Sequence, residues 1–352
     1  MTFHSNLEAR HSVDDTAAIS SDDLFDIAIV GAGPVGQYAA YYAGLRGMHT
    51  LVIDSLPELG GQLSALYPEK YIFDVAGYAK VYAKELVGNL TEQMMQYNPA
   101  LALDEKVVDL KSEDGIVTMQ TKTGSVFRAK SVVIACGVGA FMPRKMSLAG
   151  LSELEGRGVH YFVNDKASLA GKRLMVVGGG DSAFDWTMNL FDIAQSITQI
   201  HRSDRYKAHE DSVQKVMSLP VDFKPFYEVK QVHGDEHVEG VTIFDNRTKE
   251  EAYVPCDELL FNLGFLTDLG PIKEWGLDIS GNSISVNSRM ETSVPAVYAA
   301  GDIVDYRGKL KLIATGFGEA AVAVNHAKAL VDPSAKVGPG HSSENVPNKK
   351  GH

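Results

Sequence analysis

Phe25-Asp26-Ile27-Ala28-Ile29-Val30-Gly31-Ala32-Gly33-Pro34-Val35-Gly36 is an apolar strand that runs directly into a glycine-rich turn. The run Gln37 to Arg46 then favours a helix, and a second apolar strand, Thr50-Leu51-Val52-Ile53, closes on Asp54. Strand, turn, helix and strand with a terminal acid make a βαβ unit that binds a dinucleotide. Gly31 permits the tight turn, Gly33 lets a pyrophosphate approach the backbone, and Gly36 lets the helix pack on the strand. Pro34 and Val35 open the helix, and Asp54 is placed to accept ribose hydroxyls. A second loop, Gly178-Gly179-Gly180-Asp181-Ser182-Ala183, follows the strand Leu174-Met175-Val176-Val177. Two such loops imply two dinucleotides.

The second unit ends differently. Its next strand, Ser196-Ile197-Thr198-Gln199-Ile200, leads into His201-Arg202, with Arg205 and Lys207 close behind, where the first unit has an acid. A guanidinium there forms charge-assisted bonds to a 2′-phosphate, so the loop with Gly178, Gly180, Asp181, Ser182 and Ala183 is expected to take NADPH. The alternative is a solvated basic turn.

The chain has 352 residues, 45% of them apolar, enough for two domains with sizeable cores. Its formal net charge of −12 disfavours nucleic acid and anionic membrane as partners. The opening residues carry no basic start followed by an apolar stretch, so a cytoplasmic protein with a disordered leader, residues 1–23, is expected. Only two cysteines occur, Cys136 and Cys256, far apart in sequence, so neither a Cys-x-x-Cys redox pair nor a zinc knuckle can be drawn. The histidines His201, His209, His233 and His237 lack a ligand pattern, and no metal site is expected. A meander over residues 106–128, a strand ending at Cys136, and Ala296-Val297-Tyr298-Ala299-Ala300-Gly301-Asp302 later in the chain all belong with the first βαβ unit. The expected fold is α/β, with two Rossmann-like dinucleotide-binding domains of the three-layer ββα type, the second inserted into the first. Residues 24–140 and 291–352 form the first domain, with 331–352 as its tail, and 141–290 form the second.

The chain resembles the thioredoxin-reductase-like flavoproteins of the two-dinucleotide-binding superfamily, and within them the ferredoxin:NADP⁺ reductases. The resemblance is carried by residues 60–70, Gly139 to Lys145, Gly178 to Trp186, Leu312 to Ala320 and the terminal His341-Ser342-Ser343. It implies FAD at the first loop, held by Gly31, Gly33, Pro34, Val35, Gly36, Asp54, Gln62, Val107, Phe141, Asp302, Thr315 and Ser343. It also implies Tyr67 stacked on one flavin face and His341, from a partner subunit's tail, over the other, in a homodimer. The stretch Gly158 to Asp165 lacks the two cysteines of thioredoxin reductase. Without that dithiol no thiol–disulfide relay exists. The implied activity is FAD-dependent electron transfer between NADPH and ferredoxin or flavodoxin, hydride passing to flavin N5 and electrons leaving singly. An NADPH oxidase or quinone-type diaphorase, and a non-catalytic redox-sensing module, are the alternatives. A basic docking rim of Arg144, Lys145, Lys309 and Lys311 is expected for an acidic partner.

Overall fold

The computed structural model describes residues 19–20, 22–137, 140–163 and 165–338. At its centre is a five-stranded parallel sheet whose spatial order is Val297–Ala299, Val132–Ile134, Ile27–Val30, Thr50–Ile53 and Ala100–Ala102. Successive side chains of a strand face opposite ways, and the core divides accordingly. Ile27 and Ile29 pack with Ala39, Ala43, Met94, Ala320 and Ala323 from the helices Pro34–Leu45, Ala83–Met95 and Ile313–Val331. Ala28 and Val30 pack on the other face with Leu110, Val117, Met119 and Phe127 from the antiparallel meander Val107–Glu113, Ile116–Thr121 and Val126–Ala129. This gives three layers, ββα.

The second parallel sheet repeats the plan with Val159–His160, Glu258–Phe261, Arg173–Val177, Ser196–His201 and Asp222–Pro225. Leu174 and Val176 bury against Trp186 and Leu190 of the helix Asp181–Leu190. Met175 and Val177 bury against Val229, Val241 and Ile243 of a three-stranded antiparallel meander.

An antiparallel ribbon, Ala140–Pro143 paired with Phe265–Asp268, carries the chain out to the second unit and back. The return therefore falls before residue 290, where the sequence reading places it. Leu269, Ile272, Trp275, Leu277 and Ile284 are buried in the first core beside Val30, Ile53 and Leu110. Their elements are a 3-10 turn, Gly270–Glu274, and strands of two and three residues, Ile279–Ser280 and Ser283–Ser285, too short to give a periodic signal. At the other end, Ile19 packs against the same core, so core contact begins inside the stretch read as a leader.

Candidate functional site

The first glycine loop is shaped by backbone contact. Gly31 has φ +111°, and a Cβ there would lie 2.6 Å from the Ala135 carbonyl. A Cβ on Gly36 would lie 1.7 Å from the Gly31 oxygen, so the helix can approach its strand only without a side chain. A Cβ on Gly33 meets nothing within 4 Å. Gly33 is thus bare backbone at the N-cap of the helix Pro34–Leu45, whose first-turn N–H groups have no intrahelical acceptor. That combination is an anion cradle. Asp54 stands beside it, buried, accepting the N–H of Ala32 (2.5 Å) and of Leu56 (2.8 Å). Burial pushes its carboxyl above the usual range, and the N–H groups of Ala32, Leu56 and Ser55 oppose the rise.

The loop opens into a cavity of about 420 Å³, lined also by Gln62, Leu66, Tyr67, Val107, Cys136, Trp275, Gly301 and Asp302. Burial raises the Asp302 carboxyl; Lys309 and Lys311 pull it down, and Glu319 adds to the rise. Tyr67 packs both against the cluster of its own unit that holds Leu63 and Val87 and against the cluster of the second that holds Leu174 and Trp186. Its phenol is pushed up to about 12, by burial first and then by Asp302, so it stays neutral. Beyond Tyr67 lies a small pocket lined by Lys70, Ser182, Trp186 and Asn262, and Lys70 forms an ion pair of 2.7 Å with Asp185 of the second unit.

The second loop is built on the same plan. A Cβ on Gly178 would lie 2.5 Å from the Asn262 oxygen, whereas one on Gly180, the N-cap of the helix Asp181–Leu190, meets nothing within 4 Å. Ala183 is buried under the loop, and Asp181 accepts the His209 N–H (3.0 Å). The His201 ring lies against Gly179, and burial, reinforced by Arg202, lowers its imidazole below the ordinary value despite its contact with the Arg205 carbonyl. Arg202, Arg205 and Lys207 are exposed. Lys207 donates its N–H to the Gly179 oxygen (2.8 Å), and Asn246 donates to the Arg202 carbonyl (2.7 Å), so their loop is anchored at the edge of the cradle.

The family model for pyridine nucleotide-disulphide oxidoreductases matches residues 25–327. The chain belongs to this family. It is similar to a ferredoxin–NADP reductase of Thermus thermophilus, 50% identical over 326 residues that cover 92% of this chain and 97% of that protein. It is 51% identical over 321 residues to ferredoxin–NADP reductase 2 of Bacillus thuringiensis, covering 91% and 97%. Among solved structures, thioredoxin reductase of T. acidophilum superposes with a TM-score of 0.77 at 27% identity, covering 87% of this chain and 98% of that one. Thioredoxin reductase of Lactococcus lactis in its FR conformation does so with 0.76 at 26%, covering 87% and 99%.

As a pyridine nucleotide-disulphide oxidoreductase family member, the chain is an oxidoreductase whose cofactors are FAD and NADPH. The residues present fit both: a bare cradle at Gly33 opening into a large cavity, and a second bare cradle at Gly180 with cations at its edge. The chain departs from the disulphide in the family's description. Both its cysteines are free and they lie in different cores, Cys136 against that of the first unit and Cys256 in that of the second, with Val229 and Leu259. Burial pushes each thiol up to about 12, helped by Asp54 at Cys136 and by Asp257 at Cys256.

Of the residues expected at FAD, Gly31, Gly33, Pro34, Val35, Asp54, Gln62, Tyr67, Val107 and Asp302 line the one cavity. Gly36 lies beneath the loop, and Thr315 sits outside the lining, in the first turn of the helix Ile313–Val331. The side chain of Phe141, and the whole of His341 and Ser343, fall outside the described residues. Sequence reasoning missed Leu269, Pro271, Ile272 and Trp275, which line the cavity from the return segment. The one available signal was Trp275 itself, one of two tryptophans. The proposed basic rim is corrected at Lys309: its side chain is 3% exposed and paired with Glu319, so it cannot face a partner. Lys145 is paired with Glu155, while Lys311 remains exposed.

Proposed function

We propose that this protein transfers electrons between NADPH and ferredoxin or flavodoxin through FAD, without a protein disulfide. The reading rests above all on Tyr67, which lines both the cavity at the first loop and the small pocket reached by Ser182 of the second. A neutral aromatic ring at that boundary suits a displaceable cover between two stacked rings. Gly31, Gly33 and the open N-terminus of the helix Pro34–Leu45 hold the FAD pyrophosphate, Asp54 its ribose, and Gln62, Val107 and Asp302 the remainder. Trp275 closes the cavity from the return segment. Gly178, Gly180 and Ser182 hold the NADPH pyrophosphate, and Arg202, Arg205 and Lys207 clamp its 2′-phosphate. Bound FAD supplies the exchange of an electron pair for single electrons; the chain positions the two ring systems and keeps water out. Acid or base residues have no step to perform.

The same reading assigns a homodimer in the cytoplasm, with His341, Ser343 and Phe141 completing the flavin site. Two protonated thiols and no disulfide accord with a reducing compartment. The test is anaerobic reduction of a ferredoxin by the purified protein with NADPH, and with NADH in parallel. Rapid ferredoxin reduction supports the assignment. Bleaching of the flavin with ferredoxin left oxidised, and fast turnover with quinone or oxygen, would replace it with the diaphorase reading.

A further inference from the structure

Behind the Gly301–Asp302 wall of the first cavity lies a buried charge pair outside the cavity's own lining. Glu319 accepts the Gly301 N–H at 2.8 Å, the Tyr306 hydroxyl at 2.7 Å, and the Lys309 ammonium at 2.6 and 2.8 Å through its two oxygens. The Lys309 and Glu319 side chains are 3% and 4% exposed. Such a pair is a poor stabiliser, because desolvating both ions offsets most of their attraction. Its geometry suggests another task. A Cβ on Gly316 would lie 2.4 Å from Val35 and 3.3 Å from the Gly301 Cα, so the start of the helix Ile313–Val331, the Gly301 turn and the first glycine loop interlock. Glu319 is the hydrogen-bonded tie that fixes this turn to the helix.

We propose that Glu319 and Lys309 are positioning residues of the flavin site: Glu319 holds the Gly301–Asp302 turn at the cavity wall, and its charge balance with Lys309 sets the potential at which bound flavin is reduced. This rests on the assignment of FAD to that cavity. An unbalanced positive charge near the site favours added electrons, and an unbalanced negative charge opposes them. Asp302, which lines the cavity, already responds to both partners in opposite directions.

The measurement is FAD stoichiometry followed by spectroelectrochemical titration of the holoprotein. Glu319→Gln leaves the Lys309 charge unbalanced and is expected to raise the midpoint potential. Lys309→Met leaves the Glu319 charge unbalanced and is expected to lower it. Each shift is expected to be at least tenfold in the redox equilibrium, about 30 mV for a two-electron couple. The double variant returns to the parent value. Loosening of the turn alone would move both single variants the same way, so shifts of one sign, or none with FAD still bound, overturn the inference. Should either single variant fail to fold, Tyr306→Phe and Lys309→Arg replace it. The first removes one donor to Glu319 and lowers the potential; the second keeps the charge and leaves it unchanged. An unmoved potential in Tyr306→Phe overturns the inference. Absence of FAD from the parent protein refutes the cofactor assignment itself, a result distinct from any shift pattern.

Discussion

The two glycine loops share one plan and differ in what surrounds them. The first is walled: its acid, Asp54, is buried, and its cavity draws walls from the meander, the return segment and the Gly301 turn. The second stands open, with Arg202, Arg205 and Lys207 exposed at its edge. A walled cradle retains its ligand by contacting much of its surface and shielding it from water. An open cradle with cations exchanges its ligand, binding through charge that solvent screens. On the proposed assignment, the first cradle suits a resident FAD and the second an NADPH that comes and goes.

That contrast breaks most sharply at the glycines. Gly36→Ala forces a Cβ onto the Gly31 oxygen and is expected to abolish soluble, flavin-bearing protein, whereas Gly33→Ala, with open space around it, folds normally and loses FAD. Expression yield and the flavin absorbance of each variant check this. If Gly36→Ala folds with its flavin, the loop is less tightly built than its contacts require. Trp275→Ala comes next. It opens a cavity in the first core at a cost of about 3–5 kcal/mol, read as a fall in Tm together with FAD release, with the NADPH unit unaffected.

At the open site, Arg202→Ala removes a charge-assisted contact worth about 1.5–3 kcal/mol. The KM for NADPH is expected to rise by roughly 10- to 150-fold with Tm unchanged and NADH turnover untouched. An equal rise for both nucleotides would move the 2′-phosphate elsewhere. The smallest effect is at Asp257, whose carboxyl is held down to about 2 by the side-chain bond to Arg173, with the Arg173 N–H and charge assisting. Its folded value lies below the ordinary 3.8, so its stabilising contribution is complete above that value and is lost as pH falls through about 2. Both side chains are partly solvent-exposed, which keeps the effect small. Asp257→Asn is expected to flatten the acid limb of the stability curve over that window alone, measured by urea unfolding against pH.

Legibility followed the same division. The spacing of Gly31, Gly33 and Gly36 before a helix, with Asp54 closing the next strand, is local chemistry, and a reader of the chain finds it. Gly301-Asp302 and Tyr67 were placed by resemblance to a family, since nothing in their own neighbourhood says what they face. Lys309 was misplaced as a surface cation. Whether an ammonium meets solvent or Glu319, ten positions later and one element away, depends on how a turn lies on a helix. Leu269, Ile272 and Trp275 were assigned to the wrong unit because their short elements carry no period, and only contact with Val30 and Leu110 shows which core owns them.

By itself, the sequence determined the two βαβ units, the acid at one and the cations at the other, and the lack of a dithiol. Each depends on residues within a few positions of one another, where backbone geometry leaves little choice. Only the tertiary structure decided that Asp54, Tyr67, Trp275 and Asp302 wall a single cavity, that the chain returns to its first core at Phe265–Asp268, and that Lys309 and Glu319 neutralise each other behind the wall. Those outcomes depend on which distant surfaces bury one another, a sum over the whole core that no local pattern encodes.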